Sequence, residues 1–309
     1  MRNGTKTLLI GSYGTGKTYS LTTLIEAGLE LAVIITDPGG EETLYAAMQK
    51  KRLSMDKLYT HYIASASQSW ATLDNTAKQI NTMGYQALSE LKYGIDKQGH
   101  QQFIQLLTCL SNFKDDRTGK ILGPVDSWGP DKALAVDSIS GINTMALDLM
   151  VGGKPAPHQG EWGVAMNIEE RLITKLVADT KCFLVMTAHV DPELDEVLGR
   201  RILMPALLGK KLAPKLPRIF SDVVLAVKEA ENFYWSTVEP NVSLKARNLP
   251  LSGKLPPSFV PVVNTWKSRQ VEEETKNEEV KTGSIPSTVT TITTTTPTVP
   301  EQSKPVLNP

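Results

Sequence analysis

The chain has 309 residues, enough to bury one substantial core, with a hydrophobic fraction of 40% that lies slightly under the usual globular share. Lys+Arg and Asp+Glu balance at 33 each, so net charge points to no partner, and any nucleic-acid surface must come from local clustering. No apolar run approaches the ~18 residues of a membrane span, and the first residues lack the pattern of a secretory signal, so neither a membrane helix nor an export signal is expected.

Thr5–Ile10 is an apolar run that reads as a core strand. It leads directly into Gly11-Ser12-Tyr13-Gly14-Thr15-Gly16-Lys17-Thr18, which fits G-x-x-x-x-G-K-[ST] at every fixed position, and a helix is expected from about Lys17 to Ala27. The glycines let successive backbone N–H groups point at one centre, and the start of the helix adds its positive end. A loop of this kind between strand and helix implies bound ATP. Lys17 would contact the β- and γ-phosphates, and the Thr18 hydroxyl would help to hold Mg²⁺.

Val33–Thr36 is a second strand, closed by the turn Asp37-Pro38-Gly39-Gly40. Leu58–Ala64 reads as a third strand, and the polar stretch from Ser65 to about Met83 as a helix. Within residues 84–130 a helix is expected at Gln101–Phe113 and a turn at Asp115–Gly119. Ala133–Val136 is the next strand, and it ends in Asp137, placed to orient Mg²⁺ through its water shell. Helix capping is the alternative role for an aspartate in that position. A loop rich in Gly and Pro (151–163) precedes a helix from about Val164 to Thr180, and Cys182–Thr187 is another apolar strand. A long connection, 190–218, leads to the strand Asp222–Val227 and to a final pair around Tyr234–Thr237 and Val242–Arg247. Strands alternating with helices indicate an α/β fold with a mainly parallel central sheet covered on both faces. Cys109 and Cys182 stand in no metal-ligand spacing and are expected as buried thiols in a reducing cytoplasm. From about Gln270 the composition turns acidic and then rich in Thr and Pro, with no aromatic residue. The expected organisation is therefore an ATPase domain over 1–267 and a disordered tail over 268–309.

The loop at 11–18, the segment Val136-Asp137-Ser138, the stretch Asp56-Lys57-Leu58-Tyr59 and the strand ending Met186-Thr187-Ala188-His189 follow one another in an order that resembles the RecA-like P-loop ATPases. Within that group the closest likeness is to phage ATPases that anneal single-stranded DNA, and it covers roughly residues 5–250. The resemblance implies a recombination protein that hydrolyses ATP with Mg²⁺, binds single strands and assembles as a homo-oligomeric ring or filament. It implies that Asp137 belongs to the Walker B segment and that a glutamate just after the second strand activates the attacking water. In this sequence that place reads Asp37-Pro38-Gly39-Gly40-Glu41-Glu42, so the expected general base is Glu41, with Asp37 or Glu42 as alternatives. It also implies that His189 senses the γ-phosphate and that Lys245 and Arg247 reach the nucleotide of a neighbouring subunit. Relative to a short recombinase core, residues 84–130 read as an insertion.

The two DNA-contacting loops implied by the resemblance fall at about 150–163, which contains Trp162, and 190–216. Arg200, Arg201, Lys210, Lys211, Lys215 and Arg218 lie in 199–218 with no acidic residue, a composition suited to salt-sensitive phosphate contacts. Other readings are a helicase-like or packaging motor and a nucleotide switch acting on a protein partner. The Thr/Pro tail is a flexible extension by default, with a single-strand-binding protein as one conceivable partner.

Overall fold

The computed structural model describes residues 3–64, 70–84, 86–87, 101–152, 158–195, 199–209 and 212–270. Residues Met1–Gln270 form one compact unit. Lys210, Lys211, much of 85–100 and the tail from 271 lie outside the described residues.

Seven strands make the central sheet: β1 (Lys6–Ile10), β2 (Glu30–Ile35), β3 (Leu58–Tyr62), β6 (Lys132–Asp137), β7 (Phe183–Ala188), β10 (Asp222–Glu229) and β11 (Asn232–Ser236). Their order is β11-β10-β1-β7-β6-β2-β3, and every neighbouring pair is parallel except β10 with β11. The parallel strands therefore end at one edge, and their carboxyl ends surround the loop that leaves β1. Between β1 and β6 lies β7, which the order of strands along the chain does not reveal.

Both faces of the sheet are buried, as near-continuous apolar runs require. Alternation divides each strand between two cores. Leu8, Ile10, Leu134 and Val136 face one core, which is covered by α5 (Gln102–Ser111), α6 (Ile139–Val151) and α7 (Gln159–Asp179). Leu9, Ala133 and Ala135 face the other, beneath α1 (Lys17–Leu21), α2 (Thr23–Glu26), α3 (Gly40–Lys51) and α9 (260–270). The two cysteines are free and buried, and burial raises Cys109 to about 12 and Cys182 to about 11, leaving inert thiols.

The structure departs from the sequence reading in several places. The helix expected over 17–27 is two short pieces meeting at Thr22. Ser20, Thr22 and Thr23 each bond the carbonyl three residues back, which competes with the helical ladder. Helix α6 fills a stretch given no element, although Ile139, Ile142, Met145 and Ala146 already carry a helical spacing. Helix α7 begins at Gln159, five residues early, with the His158 N–H donating to Glu161 Oε2 (2.7 Å); Trp162 is thus helical and not part of a loop. The connection 190–218 contains an antiparallel hairpin, β8 (Val190–Asp195) and β9 (Arg200–Pro205), and a short helix, α8 (Leu216–Ile219). Val242–Arg247 is no strand. It makes single bridges, Leu203 with Val242 and Val223 with Lys245, because the Asp222 carboxylate captures the N–H groups of Arg247 and Asn248.

The described part of the expected insertion closes a sheet edge. Helix α4 (Trp70–Thr82) precedes it, and the small hairpin β4 (Phe113–Lys114) and β5 (Ile121–Gly123) stands beside β3. From its turn, Asp115 Oδ1 accepts the Thr60 N–H and Asp116 Oδ2 accepts the Tyr62 N–H, each at 2.8 Å. Carboxylates thereby cap the donors that an edge strand leaves free.

Candidate functional site

The loop after β1 is tied to its surroundings by backbone contacts. The Gly11 N–H donates to Ala188 O at the end of β7 (3.1 Å). A Cβ on Gly11 would lie 2.5 Å from Ala226 O of β10, so only glycine lets the loop pass this close. Gly16 opens α1 with φ 81°, a conformation glycine adopts freely. Thr15 Oγ1 donates to Ser12 O (2.8 Å), which closes the turn internally, and Tyr13 stands 88% exposed.

Lys17 folds back over this loop. Its ammonium donates to Gly11 O (2.7 Å) and Ser12 O (2.8 Å). Burial lowers its pKa to about 8, against the opposing pull of the Asp137 and Asp37 carboxylates. Thr18 Oγ1 donates to Asp137 Oδ2 (2.6 Å), and Thr187 Oγ1, from β7, donates to the other oxygen, Oδ1. Asp137 is only 3% exposed, and burial pushes its carboxyl above the ordinary value while the two hydroxyls and Lys17 oppose the rise. Side chains from three elements thus meet at one carboxylate. Thr187 was not singled out in the sequence; a hydroxyl inside an apolar strand was the available signal.

Asp37 lies on the same edge, two residues beyond β2. Burial works against its ionisation, but His189 and the Lys17 charge outweigh burial and hold it below the ordinary carboxylate value. His189 Nε2 is 3.6 Å from Asp37 Oδ2. Glu41 is engaged elsewhere, since its Oε1 accepts from Tyr45 OH and Thr60 Oγ1, both at 3.1 Å, and Glu42 is exposed in the first turn of α3. The structure therefore brings Lys17, Thr18, Asp37, Asp137, Thr187 and His189 together, and turns Glu41 toward β3.

His189 also roots the β8–β9 hairpin. Its carbonyl accepts the Ala206 N–H (2.8 Å), and Asn143 Nδ2 donates to Ala206 O (2.9 Å). Arg200 and Arg201 are exposed on β9. In the register Arg200 pairs with Asp195 and Arg201 with Leu194, while Glu193 and Asp191 lie opposite Ile202 and Met204. Lys215 Nζ lies 3.4 Å from Glu170.

Lys245 and Arg247 stand away from the loop. They flank the first residues of β10, whose register places Asp222 beside Thr7 and Leu225 beside Ile10. Lys245 Nζ donates to Arg218 O (3.1 Å) and Phe220 O (2.6 Å), whereas Arg247 is exposed.

A hydroxyl and a carboxylate in contact, beside a lysine, make a hard-oxygen donor pair that fits Mg²⁺ shared with phosphate oxygens. Among the described residues no group of three or more His, Cys, Asp or Glu gathers as a metal site, and Mg²⁺ held partly by substrate phosphates needs no such group. The sequence matches no protein-family model and no curated protein.

Proposed function

We propose that this chain is a RecA-like P-loop ATPase that acts on single-stranded DNA and promotes annealing. The observation that carries the ATPase reading is the junction of Thr18, Asp137 and Thr187 beside Lys17, at the carboxyl edge of a parallel sheet. That junction joins the glycine-rich loop to an acidic strand end across an intervening strand.

Lys17 exchanges its two carbonyl partners for phosphate oxygens, so the loop is held ready by the residue that binds the ligand. Thr18 and Asp137 would hold Mg²⁺, which when bound neutralises phosphate charge and polarises the transferred group. Asp37 is the carboxylate we assign to orient and deprotonate the attacking water. It is held ionised within the cluster, whereas Glu41 is committed to Tyr45 and Thr60. His189 contacts Asp37 and roots the hairpin, so a change at the phosphates can bias the hairpin's position. In a homo-oligomer, Lys245 and Arg247 would serve the neighbouring subunit's nucleotide, with Arg247 the freer of the two.

Arg200 and Arg201 supply the DNA surface in this reading. The acidic face of β8 favours a second reading, a nucleotide switch whose hairpin grips a protein partner. The test is the ATPase rate with and without single-stranded DNA, at two salt concentrations, for wild type and Lys17→Ala. We expect DNA stimulation that weakens with salt, and at least a roughly hundred-fold loss in the variant. Hydrolysis that needs Lys17 but ignores DNA supports the switch. Hydrolysis indifferent to Lys17 overturns both readings.

A further inference from the structure

β10 runs parallel to β1 and ends at the same sheet edge as the glycine-rich loop, and β11 turns back from that edge. The first residues of β11 therefore stand level with the loop. Phe233 is one of them, paired with Lys228 across the hairpin. A Cβ built on Gly16 would lie 3.3 Å from Phe233 Cδ1, so the ring rests on the loop backbone just before Lys17. An aromatic side chain on such a strand would ordinarily bury both faces. Trp235, two residues on and on the same side of the strand, does so: it is fully buried, 4.7 Å from the Phe259 ring centroid. Phe233 instead remains 43% exposed, with the Lys228 ammonium 5.5 Å from the ring centroid.

We propose that the exposed ring of Phe233 is the stacking surface for the base of the bound nucleotide and makes the site prefer purine over pyrimidine triphosphates. This rests on the reading of residues 11–18 as a triphosphate loop. A nucleotide whose phosphates sit in that loop has its base one ribose away, beside the loop's own rim, where Phe233 rests against Gly16; Tyr13, within the loop, is the other exposed aromatic there. A phenyl ring has no hydrogen-bonding group, so it ranks bases by the area they stack, and purines offer more than pyrimidines. The Lys228 ammonium over the ring adds a cation–π contact. Glycine at position 16 serves twice, because it permits φ 81° and leaves the space the ring occupies.

The test compares binding of ATP, CTP and inorganic tripolyphosphate by the full chain, for wild type, Phe233→Ala, Phe233→Leu, Phe233→Trp and Lys17→Ala. Tripolyphosphate has the phosphates without a base. We expect Phe233→Ala and Phe233→Leu to weaken ATP binding roughly ten-fold or more, to erase the ATP-over-CTP preference, and to leave tripolyphosphate binding unchanged. Phe233→Trp should restore ATP affinity, with its fluorescence quenched on binding. Unchanged ATP affinity in Phe233→Ala, with Lys17→Ala still abolishing binding, overturns the stacking role and spares the loop. Equal loss of ATP and tripolyphosphate binding also overturns it, by showing that the ring acts only on loop shape. Binding of ATP and tripolyphosphate that is indifferent to Lys17 removes the triphosphate loop itself, and the proposal falls with it.

Discussion

Lys17 bears a charge in a place that penalises it, and this tension is measurable. Its pKa falls from 10.5 to about 8, so between those values the unfolded chain binds the proton that the folded one has released. Stability of the protein without ligand therefore rises with pH across that window, and the destabilising contribution is complete below about 8. Lys17→Met should raise the melting temperature at pH 7, although on the proposed reading it abolishes nucleotide binding, and the gain should shrink as the pH climbs toward 10.5. A gain that does not vary with pH would mean that burial of the ammonium is not its source. The position of Lys17 was legible in the sequence, because the motif is local and its spacing is set by the loop. Asp37 and Glu41 were not separable in that way. Both follow β2 within a few residues, and only the contacts of Tyr45 and Thr60 draw Glu41 aside.

At the level of elements, side chains that bond to backbone decide where strands and helices stop. Asp115 is fully buried and accepts from Thr60 N–H, Thr118 N–H and the Thr118 hydroxyl. Asp115→Ala should cost about 1–3 kcal/mol in urea unfolding, because the buried Thr60 N–H loses its acceptor. Burial opposes ionisation of Asp115, but these hydrogen bonds prevail and hold its carboxyl below 3.8. Its contribution is present above that value and lost as pH falls through the lower folded one, so the gap between wild type and variant should close in acid. The β8–β9 hairpin gives a second prediction. If Arg200 and Arg201 touch DNA phosphates, replacing either with Ala should flatten the salt dependence of binding by about one unit of slope. The hairpin was hidden in the sequence because its two prolines and adjacent arginines mask the alternation, and its pairing joins residues up to 15 positions apart, Val190 with Pro205.

Across the whole molecule, α9 fastens the chain's return to its beginning. Phe259, Val262 and Val263 are buried in the core beneath α1 and α2, Trp266 Nε1 donates to Asn3 O (2.9 Å), and Lys267 Nζ donates to Ala27 O (3.0 Å). A chain cut after Pro257 should be less stable than one cut after Gln270 by at least about 3–5 kcal/mol, the usual cost of removing one buried aromatic. Equal stability would show that the helix contributes nothing to the core. The compositional change near residue 270 was visible in the sequence and coincides with the end of the compact unit. The helix just before it was not, because Val262, Val263 and Trp266 form a short run whose partners lie far off in the chain, Phe183 and Asn3 for Trp266 among them.

The sequence by itself determined the glycine-rich loop, the strands β1, β6, β7 and β10, and the α/β class. Each depends on periodicity or spacing within a few residues, where sterics and local hydrogen bonding act. Tertiary structure alone decided that β7 lies between β1 and β6, that Thr187 joins Thr18 on Asp137, and that Phe233 rests on Gly16. Those contacts join residues far apart in the chain. They follow from how two cores pack against one sheet, and a linear pattern carries no record of which strand lies beside which.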